Sequence, residues 1–91
     1  MENALEKNME EAFRIPGVSG VLCTESSGLV LSSKGNVPRH CSGSISALAR
    51  QAASLCPSQN GPTPVICLES EYGSVLVKKT DTVTTALFKS S

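Results

Sequence analysis

Aromatic residues are almost missing from this chain. Phe13, Tyr72 and Phe88 are the only three among 91 residues, and tryptophan is absent. The core must therefore be built from Val, Leu, Ile, Ala and Cys, without the large buried area that rings supply. A chain of this size buries roughly 60–65% of the surface it exposes when unfolded. One thin core is expected, and association with another chain would add to it. Net charge is missing as well, since eight Lys and Arg offset eight Asp and Glu. Without a basic excess, nucleic acid and anionic membrane are poor partners. A near-zero net charge also gives little protection against self-association.

Long apolar runs are lacking too. None approaches the roughly 18 residues of a membrane span, and the charged opening segment MENALEKNMEEAFR holds no signal-peptide core. Glu2 stands where myristoylation requires glycine, and a C-terminal prenylation box is absent. The expectation is a soluble intracellular protein with no direct membrane insertion. If it is found on a membrane, something else carries it there.

Motifs for nucleotide binding and for nucleophilic elbows are absent, with no GxxxxGK[ST], GxGxxG or GxSxG in the chain. The four cysteines, Cys23, Cys41, Cys56 and Cys67, contain no CxxC pair. Without a secretion signal they read as reduced thiols, buried and inert in apolar segments, and not as a disulfide framework. His40 beside Cys41 is the one His/Cys neighbour pair. Adjacent helical residues point about 100° apart and do not face each other, and the ligand spacing of a zinc site is not present. Thr24–Gly28 reads as a hairpin turn, Lys78–Lys79 as charges guarding a sheet edge, and Glu69 with Glu71 as carboxylates without a cleft. No catalytic, cofactor or metal residue is assigned, and no enzyme is expected.

What is present is two hairpin patterns. GVLCTESSGLVL (Gly20–Leu31) and PVICLESEYGSVLV (Pro64–Val77) each run apolar, polar turn with Gly, apolar. A first helix is predicted over Asn3–Arg14, with Leu5, Met9, Ala12 and Phe13 on one stripe, ended by Pro16-Gly17. Strands are predicted at Val18–Thr24, Gly28–Ser33, Val65–Glu69, Ser74–Lys79 and Val83–Lys89. A second helix is predicted over Cys41–Cys56, its stripe formed by Cys41, Ile45, Leu48, Ala49, Ala52, Leu55 and Cys56. Leu48 and Leu55 are expected to anchor it to the sheet. The expected fold class is α/β in the α+β sense: a single domain over residues 1–91, in the order α-β-β-α-β-β-β. It has a five-stranded antiparallel sheet, two helices and no C-terminal helix. The run Val65, Ile66, Cys67 and Leu68 is apolar on both faces, as in a strand covered on both sides. Either it is central, or a helix and a partner cover it. These four residues are the candidate partner interface.

That element order resembles the roadblock/longin-type family of small α/β adaptors. Gly20–Leu31, SISALARQAASL (Ser44–Leu55) and PVICLESEYGSVLVKKTDTVTTAL (Pro64–Leu87) are similar, over nearly the full chain, to Ragulator roadblock-type subunits of the hepatitis B virus X-interacting family. The resemblance implies a scaffold or adaptor on late endosomes and lysosomes. Such a subunit pairs side by side with a second roadblock-type Ragulator subunit, and a lipidated wrapping subunit tethers the pairs. The assembly docks Rag GTPases and activates target-of-rapamycin kinase signalling in response to amino acids. Viral X protein and an apoptosis inhibitor are further partners the resemblance brings in. Two other readings stand beside it. One is a homodimeric roadblock-type regulator of a small GTPase or motor complex. The other is a small thiol-dependent enzyme using Cys41 or Cys23.

Overall fold

A computed structural model describes residues 4–25, 27–38, 41–55, 64–71, 73–80 and 83–90. Its elements are α1 (Ala4–Phe13), β1 (Val18–Glu25), β2 (Val30–Gly35), α2 (Ser42–Ser54), β3 (Val65–Ser70), β4 (Gly73–Thr80) and β5 (Val83–Ser90). The strands form one sheet in the order β2-β1-β5-β4-β3. Every neighbouring pair is antiparallel. The three hairpin pairings are local, as the short polar turns require. The β1·β5 pairing joins the two ends of the chain and makes one sheet of them.

Alternation along the strands sends successive side chains to opposite faces, and each face carries one helix. On one face Leu22, Val77 and Ala86 pack with Ile45 and Ala49 of α2. On the other, Val21 and Cys23 pack with Met9, and Ala12 and Phe13 of α1 close over them. The α1 stripe thus lies against β1 and β2, and the Lys34 ammonium sits 5.4 Å from the Phe13 ring centroid. α2 packs on β1, β5 and β4. Small residues allow this close approach: Ala49 and Ala86 are both buried where helix and sheet meet.

The first hairpin differs from expectation by two residues. Gly28 takes φ +98°, which glycine adopts without steric penalty. Its N–H bonds the Glu25 carbonyl at 2.8 Å, and the Glu25 N–H bonds Leu29 at 2.8 Å. The turn therefore consumes Gly28 and Leu29, and β2 begins at Val30. Leu31 is then an extra residue, since Cys23 pairs with Ser32 while Thr24 pairs with Val30. That is a β-bulge on an edge strand.

α2 corrects a second expectation. Leu55 is 81% exposed and Leu48 is half-buried, outside the core cluster. Ile45 and Ala49 anchor the helix instead. The buried arc is centred one residue further round than the apolar stripe suggests, because Ser46 is also buried.

Candidate interaction surface

Among the described residues the thiol and hydroxyl candidates do not assemble into a reactive centre. Cys23 is buried, and its Sγ lies 3.7 Å from Thr85 Oγ1. Burial pushes its thiol pKa up, and the Thr85 hydrogen bond opposes that only in part. A raised pKa keeps the thiolate scarce at neutral pH. Cys41 packs half-buried against the α2-side core. His40 and Cys56 lie outside the described residues, as do Tyr72 and Asp81. Thr24 Oγ1 is buried and bonded to Ser46. Among the described residues no group of three or more His, Cys, Asp or Glu is placed to hold a metal ion.

Cys67 departs from the expectation of four buried thiols. It is exposed on β3, and its Sγ donates to Glu69 Oε1 at 3.7 Å. Among Cys23, Cys41 and Cys67, a neutral-pH thiol reagent is expected to label Cys67 first and Cys23 last, as read by mass spectrometry of the native chain. Faster labelling of Cys23 would contradict its burial.

The four candidate interface residues sit on an edge strand, and not on a central one. β3 pairs with β4 along one side only, in regular register from Val65 against Lys78 to Ser70 against Gly73. Ile66 turns to the α2 face and packs on the core. Leu68 shares that face and is 49% exposed, and Val65 on the opposite face is 57% exposed. The alternation thus leaves an apolar side chain open on each face of a strand edge that no described strand pairs. Lys78 and Lys79 guard no edge, because β4 is flanked by β5 and β3.

Two features escaped the sequence reading. The first is a shallow groove of about 380 Å³ on the α2 face beside Leu68, walled by Pro38, Val75 and Phe88. The second is the exposure of Leu29, Val30 and Leu31 on the opposite edge. An apolar run looks the same in sequence whether its strand lies at an edge or in the middle. Among the described residues no helix is long and apolar enough to cross a membrane.

This arrangement, one antiparallel sheet with a helix on each face, is the roadblock/LC7 fold. The Roadblock/LC7 domain from Streptomyces avermitilis superposes with a TM-score of 0.72 at 18% identity, over 92% of this chain and 73% of that one. The gliding protein MglB from Thermus thermophilus superposes with a TM-score of 0.75 at 17% identity, over 99% and 76%. This chain thus spans about three quarters of those domains. Within that fold class, the family model described as Ragulator complex protein LAMTOR5 matches residues 1–89. The chain is 43% identical to the Ragulator complex protein LAMTOR5 of Xenopus tropicalis, over 98% of its own length and 97% of that protein's. It is 38% identical to the LAMTOR5 homologue of Nematostella vectensis over the same shares. The chain belongs to the Ragulator complex protein LAMTOR5 family.

Proposed function

We propose that this chain is a non-catalytic scaffold subunit of the Ragulator complex, acting as one domain over residues 1–91. It pairs with a second roadblock-type subunit through Val65, Ile66, Cys67 and Leu68 of β3, with α2 alongside. The observation that carries this reading is the contrast between the two sheet edges. β2 is bulged at Leu31 and carries Lys34 against the Phe13 ring, devices that discourage edge pairing. Both edges expose apolar side chains, but β3 is regular and unbulged, as a strand that receives another strand should be. The reading as a scaffold and not an enzyme rests on membership of the Ragulator subunit family.

The remaining partners follow from the family. The paired subunits are held at the late endosomal and lysosomal surface by the lipidated wrapping subunit. From the cytoplasmic side they help dock Rag GTPases and activate target-of-rapamycin kinase signalling in response to amino acids. Support for a wrapping partner comes from the α1 side of the sheet. There α1 packs on β1 and β2, while Val65 stands exposed on β3 beyond it. The X-interacting identity, with viral X protein and an apoptosis inhibitor as partners, belongs to the same proposal.

Co-expression with a second roadblock-type Ragulator subunit tests it. The expected result is a one-to-one complex surviving size exclusion. A stable homodimer that ignores the second subunit would instead support a homodimeric regulator of a small GTPase or motor complex.

A further inference from the structure

Three hydroxyls meet beneath the first turns of α2. Thr24 Oγ1 and Ser46 Oγ are 2.7 Å apart, and Ser46 Oγ donates to the Glu25 carbonyl oxygen at 3.1 Å. Ser46 has one proton to give. Since that proton goes to Glu25, Thr24 is the donor in the bond to Ser46. Thr84 is the cross-strand partner of Thr24. It is just as buried, yet its Oγ1 has no hydrogen-bond partner among the described residues. Two adjacent, like hydroxyls therefore differ in one respect: one is tied to the helix and one is not.

The tie matters because the rest of the α2 contact is aliphatic. Ile45 and Ala49 meet Leu22, Val77 and Ala86, and apolar burial is non-directional. A smooth inner face of this kind resists lift-off more than it resists rolling about the helix axis. Hydrogen bonds are directional, and this knot joins one flank of α2 to β1. At about 100° per residue, Leu48 and Leu55 stand roughly 160–180° round the helix from Ser46. Holding Ser46 on β1 turns the Leu48–Leu55 flank away from β1, and in the strand order β3 is the edge on the far side of β5 and β4. Leu55 is the most exposed large apolar side chain among those described, and Leu48 is half-buried.

We propose that the Thr24–Ser46–Glu25 knot is a positioning device for partner binding. It sets the roll of α2 and so presents Leu48 and Leu55 beside the β3 edge. The proposal rests on the pairing reading above, with a second roadblock-type subunit as the occupant.

The test compares isosteric changes at two paired positions. Full-length Thr24→Val, Ser46→Ala, the double variant and Thr84→Val are assayed for affinity to the second roadblock-type subunit, with circular dichroism to establish folding. Thr24→Val, which removes the Thr24–Ser46 bond, is expected to weaken pairing about five- to tenfold, the worth of one hydrogen bond, and Ser46→Ala, which removes the bond to Glu25 as well, at least as much. The double variant should be little worse than Ser46→Ala alone, because Ser46→Ala already removes both bonds of the knot. Thr84→Val removes an unpartnered hydroxyl. It should leave affinity unchanged and raise the denaturation midpoint. A folded Thr24→Val with wild-type affinity overturns the proposal. So does an equal loss from Thr84→Val, which would mark a packing effect. If Ser46→Ala fails to fold, Thr24→Ser decides: it keeps the donor and is expected to hold affinity where Thr24→Val loses it, and equal losses overturn the proposal. Should the wild type bind no roadblock-type subunit, the pairing reading fails by itself. Amide exchange across α2 in the isolated chain still reads the knot: it should quicken in Thr24→Val and not in Thr84→Val, and no difference overturns the device.

Discussion

Leu68→Asp is expected to abolish pairing with the second roadblock-type subunit and to leave the chain folded. Leu68 lies on the edge strand β3 and is 49% exposed in the isolated chain, so a carboxylate there stays solvated until the partner arrives. Pairing would then bury it without a counter-charge, at about 3–5 kcal/mol. That is a loss of more than about a hundredfold in affinity. Co-purification measures the pairing and circular dichroism the fold. Ile66→Asp does not separate the two, because Ile66 packs on the α2-side core and its charge would disturb folding directly. Cys67→Asp, on the exposed opposite face, tests that face separately. Leu31→Asp on the bulged β2 edge is the control and should pair as wild type does. If Leu68→Asp and Cys67→Asp both stay folded and bind normally, the interface is not on β3.

Ile45→Ala should lower stability by about 2–5 kcal/mol, while Leu55→Ala should change it by less than about 0.5 kcal/mol. Ile45 is buried among Leu22, Val77 and Ala86, and its removal leaves a cavity in a core that contains no tryptophan and little to collapse into it. A small domain has only about 5–15 kcal/mol to lose. Leu55 is mostly solvated in the isolated chain, and its truncation removes little buried surface. Urea denaturation of the two variants gives the comparison. In the pair the order of effects should reverse for affinity, with Leu55→Ala weakening it. A large midpoint shift for Leu55→Ala would show that its side chain is buried after all.

Local signals account for what could be read without coordinates. The α1 stripe of Met9, Ala12 and Phe13 packs as its spacing requires. The three hairpin pairings follow from turns too short for any other connection. The alternation of Val21, Leu22 and Cys23 assigns faces on β1 in the same way. β2 begins two residues later than its pattern predicts, because Gly28 and Leu29 look like the start of a strand whereas the backbone needs them to close the turn.

The amino-acid sequence by itself determined the order of elements, the antiparallel hairpins and the absence of familiar catalytic motifs, since each depends on residues within a few positions of one another. Tertiary structure alone decided which strands are edges. The apolar run of β3 fits either a central strand or one covered by a helix and a partner; β1 pairs with β5 from the far end of the chain, and that long-range pairing puts β3 at the rim. The same holds for α2. Its apolar stripe predicts burial of Leu55, yet helical periodicity says nothing about roll: in the folded chain Ser46 is buried and bonded to β1 while Leu55 is exposed. Local propensity and periodicity act over one or two turns of chain. Edge position and helix roll are set by contacts between segments far apart in sequence, and only the folded chain brings those segments together.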